Sequence, residues 1–207
     1  MKKIILITVI CSLCAMLTAC SNVTESSGSS AENSNMYADI KCVRGAEPDR
    51  VVFDDLESLE KEVDVIVVGE FIADSEQEVT SDYDEGFGKN IVTWVTSYNT
   101  IEVKKVLKGD VSVGDNLKIG QYYAVVDGDL ITFSDLTPMQ KGDKWLFFLK
   151  GYEDGDYWCW GDSDARYPVP NTENAPMPFT DDHNLGVFSE NDFNWNIYNE
   201  ILEKYDI

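Results

Sequence analysis

The run Val63-Asp64-Val65-Ile66-Val67-Val68-Gly69-Glu70-Phe71 constrains the class of fold most strongly. Its β-branched side chains pack well on a pleated surface, and the run is too short and too glycine-punctuated for a buried helix. It is predicted to be a central strand. Residues 91–107 form a second long β stretch, in which Ile101 and Val103 alternate with Glu102 and Lys104 before the phase slips at Lys105-Val106. A one-residue slip turns every later side chain to the other face, so a bulge is expected there. Leu117, Ile119, Gln121 and Tyr123 alternate with mostly polar or small neighbours, and Asp127-Gly128 between two apolar runs is a type I′ hairpin signal. Residues 145–149 and 157–160, joined by an acidic glycine-containing turn, read as another hairpin.

Two segments break this pattern. Asp54 and Glu57, with Leu56, Leu59 and Val63 at helical spacing, predict one short helix with an acidic N-terminus. Near the end, Ser189 is placed to cap a helix carrying Phe193, Trp195, Ile197, Tyr198, Ile201, Leu202 and Tyr205. Residues 168–188 contain four prolines and read as an irregular surface connection. About 170 residues suffice for one domain with a real core and fall short of two, so residues 36–207 are read as a single β-rich domain.

The N-terminus carries a different signal. Lys2 and Lys3 precede an apolar run over residues 4–16, and small residues follow, which is the layout of a secretory signal peptide. The run is shorter than the roughly 20 apolar residues of a membrane-spanning helix. Its end, Leu17-Thr18-Ala19-Cys20, resembles the lipobox of bacterial lipoproteins. That resemblance implies removal of residues 1–19, a diacylglyceryl group on Cys20, and a protein held by its acyl chains at the extracytoplasmic face of the cell membrane. Each buried methylene adds about 0.8 kcal/mol, so two chains hold firmly where one holds marginally. Residues 20–35 are then a lipidated cysteine and a Ser/Asn/Gly tether with a root-mean-square reach of roughly 20 Å.

Charge narrows the partners. Sixteen Lys and Arg against 38 Asp and Glu leave a net charge of -22, and loss of Lys2 and Lys3 with the signal deepens it. Nucleic acid and anionic lipid headgroups, which need clustered bases on one face, are excluded as docking partners of the domain. The chain shows no nucleophile elbow, no Cys-x-x-Cys beyond the signal and no glycine-rich phosphate loop, so neither an enzyme nor a cofactor is expected. His183, the one histidine, stands in Asp181-Asp182-His183 and reads as part of a polar loop.

The remaining candidates are acidic or aromatic. Asp82-Tyr83-Asp84-Glu85-Gly86 begins like an EF-hand loop, but its Gly falls at the fifth position and Thr93 stands where the closing Glu belongs. Glu153, Asp154 and Asp156, with Asp162 and Asp164 in the next turn, are weak Ca²⁺-ligand candidates, a solvated acidic rim being the default. Trp145, Trp158 and Trp160 are candidates for stacking on sugar rings, Trp158 and Trp160 sharing one strand face, with core packing as the competing role. With Cys11 and Cys14 in the signal and Cys20 lipidated, Cys42 and Cys159 either pair as a disulfide or stay as two buried thiols.

Three stretches in order, residues 63–71, residues 100–109 (TIEVKKVLKG) and residues 141–150 (KGDKWLFFLK), are similar to the netrin-like pattern of the tissue inhibitors of metalloproteinases. The resemblance covers residues 63–161 and implies a small, closed or partly open OB-like antiparallel barrel. Inhibition does not carry over, because in that family the backbone of an N-terminal cysteine chelates the protease zinc, whereas Cys20 here is expected to be lipidated. The expected function is a non-catalytic binding or interaction module of the cell envelope, with an unidentified envelope protein or extracellular ligand as partner. Its alternative is a calcium, glycan or small-ligand binder using the acidic loops or the Trp158/Trp160 face.

Overall fold

The computed structural model describes residues 40–45, 51–133, 138–161, 165–169 and 194–207. Along them run β1 (Cys42–Arg44), α1 (Leu56–Glu62), β2 (Val65–Asp84), β3 (Lys89–Lys108), β4 (Asn116–Gln121), β5 (Tyr123–Val126), β6 (Asp129–Thr132), β7 (Lys144–Gly151), β8 (Tyr157–Cys159), β9 (Arg166–Pro168) and α2 (Trp195–Lys204). Among these residues no helix is long and apolar enough to cross a membrane.

β2, β3, β4, β8 and β7 are neighbours in that order, and β7 pairs back onto β2, closing a five-stranded barrel. Every contact in the ring is antiparallel except β4 with β8, where Ile119 faces Tyr157 and Gly120 faces Trp158. The third and fifth barrel strands running parallel, with the fourth closing on the first, is the OB-like arrangement. β9 continues along β7 beside β8, and β1, β6 and β5 form a separate three-stranded sheet. The fold is therefore mainly β, with an OB-like barrel and two helices, as expected.

Local chemistry explains the bends a small barrel needs. Ile66 faces Lys108 while Val67 faces Val106, and Val68 faces Lys105 while Gly69 faces Val103. The skipped residues Leu107 and Lys104 bracket the Lys105-Val106 slip, giving two bulges where one was expected. Gly69 allows the walls to meet, since a Cβ there would stand 2.5 Å from the Ile101 side chain and 3.1 Å from the Phe147 ring. The Asp127-Gly128 turn forms as anticipated, with both residues at positive φ between β5 and β6.

The principal core fills the barrel and its helix-covered side. Trp145, Leu146, Phe147, Phe148 and Leu149 of β7 are all buried. Phe148 meets Tyr167 edge-on at 5.9 Å, and Tyr167 stacks on Tyr198 of α2 at 6.0 Å. Leu56 and Leu59 of α1, and Ile197 and Ile201 of α2, complete it. The helices are tied to each other: Glu200 accepts from the Leu56 N–H at 2.9 Å, and Glu60 takes Lys204 at 2.5 Å and the Tyr205 hydroxyl.

Several boundaries differ from expectation for physical reasons. The cap of α1 is Asp55, whose Oδ1 accepts from the Ser58 N–H at 2.8 Å, one residue after Asp54. Val63 closes that helix, and the strand begins at Val65. Asn194 caps α2 by accepting from the Ile197 N–H at 3.2 Å, while Ser189 and Phe193 lie outside the described residues. The strand predicted to end at Phe71 runs on to Asp84, held by pairing with β3 in spite of its polar composition. The EF-hand-like segment is the turn at the tip of that hairpin, where Asp84 Oδ1 accepts from the Phe87 N–H at 3.0 Å.

The two Lys-Gly strand ends have one structural task. Lys108 Nζ donates to the carbonyls of Glu60 and Val63 at 2.6 Å each, and Lys150 Nζ donates to that of Glu62 at 2.8 Å. These are orphan carbonyls and partial negative charge at the end of a helix, which a cation neutralises. Gly109, at φ +104°, lets the chain pass, because a Cβ there would meet the Asp64 carbonyl at 2.9 Å.

Candidate aromatic binding face

Between Trp94 and Val103, β3 carries no inserted residue, so its side chains alternate cleanly. Ser97, Asn99, Ile101 and Val103 are buried inside, leaving Trp94, Thr96, Tyr98, Thr100 and Glu102 on the outer face, where Thr96 is itself covered. Across the strands Tyr98 lies opposite Gly120 of β4, and Gly120 lies beside Trp158 of β8. A Cβ at Gly120 would stand 2.8 Å from three indole atoms of Trp158, so the ring rests directly on the strand because no side chain holds it off.

Other rings gather around it. Tyr122 is 5.1 Å from Trp158 between centroids, and Tyr98 and Tyr152 are each 6.1 Å away and edge-on. Tyr122 in turn meets Trp94 at 4.8 Å, and Trp94 stacks on Phe133 at 5.7 Å. Trp94, Tyr98, Tyr122 and Trp158 are half-buried and Tyr152 is exposed, so each ring of the row keeps part of its surface accessible to solvent. Each such ring pair adds about 0.5–1.5 kcal/mol beyond its buried area, which holds the row in one arrangement before any ligand arrives.

Charged groups rim the row. Lys118 Nζ sits 4.0 Å from the centre of the Tyr98 ring, 2.9 Å from Asp156 and 3.9 Å from Glu76. Its hydrogen bond to Asp156 raises the Lys118 pKa, keeping the ammonium charged. The Tyr98 hydroxyl donates to Glu78 Oε2 at 3.4 Å, and burial, helped by the Glu78 charge, raises the phenol pKa and keeps it neutral.

Behind the face lies an enclosed polar network. Ser97 Oγ donates to the Tyr123 carbonyl at 2.7 Å, Asn99 Nδ2 to the Tyr123 hydroxyl at 3.0 Å, Gln121 Nε2 to Cys159 Sγ at 3.5 Å, and Arg166 Nη1 to Gln121 Oε1 at 3.3 Å. The buried guanidinium of Arg166 lies 4.3 Å over the Trp145 ring, and desolvation lowers its pKa. Every member is buried; the Tyr123 bonds tie β3 to β5, the Gln121 bonds tie β4 to β8 and β9, and both sets stiffen the face from behind.

The tryptophans anticipated as a platform separate. Trp145 is 1% exposed and belongs to the core, and Trp160 packs against that same core with its backbone N–H donating to the Phe148 carbonyl. β8 ends at Cys159, so strand alternation does not extend to Trp160, and Trp158 alone joins the outer row. Trp94, Tyr98 and Tyr122 were not anticipated. The four-residue spacing of Trp94 and Tyr98 on one strand face was the available signal.

The acidic candidates are placed as follows. Glu153 and Asp154 are exposed in the β7–β8 turn, where Asp154 accepts from the Asp156 N–H at 3.0 Å, and Asp156 is bound to Lys118. Asp162, Asp164, His183 and Cys20 lie outside the described residues. Among the described residues no three His, Cys, Asp or Glu side chains group as a metal ion would require. No disulfide joins Cys42, in the three-stranded sheet, to Cys159, in the barrel. The chain matches no known family model and no curated protein. Geometry therefore carries the functional argument.

Proposed function

We propose that the protein is a lipid-anchored, extracytoplasmic binding module, non-catalytic, whose ligand face is the outer surface of β3, β4 and β8. The observation that carries this reading is the continuous, partly exposed row of Trp94, Tyr122, Trp158, Tyr98 and Tyr152. Aromatic surface left open in this way marks a place where something docks. OB-type barrels bind their ligands over the second and third strands and over the loops joining strands one to two and four to five. In this barrel those strands are β3 and β4, and the β7–β8 loop contributes Tyr152 and Asp156. Asp156 bound to Lys118, and Glu78 bound to Tyr98, favour holding a ligand over moving protons. Leu17-Thr18-Ala19-Cys20 supports the anchor, and the netrin-like spacing supports an interaction role for the domain.

The test is in-cell crosslinking with mass spectrometry of the captured species, comparing wild type with a Tyr98→Ala/Trp158→Ala double variant. A species captured by wild type and lost from the variant is the expected result; equal capture by both contradicts the reading. A second reading, an oligosaccharide ligand, is favoured by the Trp158 indole lying flat on Gly120 beside carboxylates able to accept sugar hydroxyls.

A further inference from the structure

The β2–β3 hairpin outruns the barrel. β7 pairs with β2 only over residues 65–70, and β4 pairs with β3 only over residues 97–102. Among the described residues, 76–84 and 89–96 thus pair only with each other, as an arm roughly 30 Å long at about 3.3 Å per residue. No residue is inserted in β2 along the arm, so parity assigns its faces. Glu76, Glu78, Asp82 and Asp84 stand on one face, and Gln77, Val79, Ser81 and Tyr83 on the other. The register sets Tyr98 opposite Glu76 and Trp94 opposite Thr80. The acidic face of the arm is therefore continuous with the aromatic row.

Glu76, Glu78 and Asp82 carry one sign on that face, with Lys89 opposite Asp84 at the tip, whereas protecting an exposed edge from aggregation needs charge of no particular sign. Alternate carboxylates beside rings are what ammonium and guanidinium groups require, an ion pair joined to a cation–π contact. The protein's own Lys118 shows such a seat in use, over Tyr98 and between Asp156 and Glu76.

We infer that the arm receives a lysine- or arginine-rich extended segment of a partner protein, added along the edge of β2 that no described residue pairs, with basic side chains over Glu78 and Asp82. The edge supplies backbone hydrogen bonds, and bases at every second position of a strand match acids at every second position of its neighbour. A second copy of this chain would bring the same acids and a net charge of -22 against them. The inference rests on the outer face of the barrel being the binding surface.

Calorimetric titration of the full-length chain in detergent tests it. The probes are a peptide of roughly ten alternating Lys and Thr residues, the length of the arm, its Glu/Thr counterpart, and a neutral β-glucan oligosaccharide. The Lys/Thr peptide is expected to bind saturably, more weakly as salt rises, and at least about tenfold more weakly to a Glu78→Lys/Asp82→Lys variant. The Glu/Thr peptide is expected not to bind. Both substituted side chains are exposed, and an unchanged far-ultraviolet spectrum verifies that the variant is folded. No binding of the Lys/Thr peptide, or binding indifferent to the charge reversal, overturns the inference. If the oligosaccharide binds instead and Trp158→Ala abolishes it, the inference falls while the face stands as a binding surface. If neither probe binds and in-cell capture does not depend on Trp158, the underlying reading falls with it.

Discussion

Gly120 and Asp143 carry opposite lessons about what a single side chain contributes. At Gly120 the Trp158 indole occupies the space a methyl group would take, at 2.8 Å. Gly120→Ala therefore forces the ring off the strand, at an expected cost of about 1–3 kcal/mol for overpacking. A shift in tryptophan emission and a lower urea midpoint are the readouts; an unchanged spectrum contradicts the placement of the ring. Asp143 holds the turn before β7, its carboxylate accepting from the Gln140 N–H at 2.8 Å. Burial is the largest influence on it and raises its pKa above the ordinary 3.8, against that hydrogen bond and the charge of Arg166. A raised folded-state pKa means the folded form binds more protons, so this group's contribution to stability declines as pH rises from about 3.8 through its folded value. Asp143→Asn cannot ionise, so its stability relative to wild type is expected to rise with pH across that window. Urea titrations at a series of pH values measure the difference, and a pH-independent difference refutes the assignment. Trp158, which lies in the aromatic row, was singled out from the sequence as a candidate. Tyr98 and Tyr122 were not, because only the strand register and the bare backbone at Gly120 bring them to it.

Elements were legible where pattern and tertiary role agree. The apolar part of β2, the Asp127-Gly128 hairpin and the β7–β8 hairpin follow from local composition. The outer half of β2 does not, since residues 76–83 are exposed on both faces and carry no apolar alternation; cross-strand pairing alone makes them a strand. Closure of β7 on β2 and the parallel contact of β4 with β8 also have no local code, because each joins residues far apart in the chain. Lys108 serves the end of α1 by donating to the carbonyls of Glu60 and Val63, a role with no local signal in the sequence. Lys108→Met keeps the aliphatic stem and removes both bonds. The expected loss is about 0.5–1 kcal/mol, at the low end of charge–helix effects because the ammonium is exposed. Faster amide hydrogen exchange confined to α1 is the signature, and unchanged exchange there counts against the cap.

For the whole molecule, the two helices cover one side of the barrel and the aromatic row marks another, so burial and display are divided between sides. Glu76, Glu78 and Asp82 lie on the arm beside the row, where the inferred role has them select a partner of opposite charge. Attachment is separable from recognition: Cys20→Ala is expected to move the protein from the membrane fraction to the soluble fraction, and continued membrane retention contradicts the anchor. The most direct test of the binding face is a photo-crosslinking residue placed in living cells at Thr100, on the outer face of β3, and separately at Leu202, exposed on α2. A discrete crosslinked product from position 100, absent from position 202, is the result expected. Equal products from both positions, or a product from position 202 alone, would contradict the assignment of the ligand face to β3, β4 and β8.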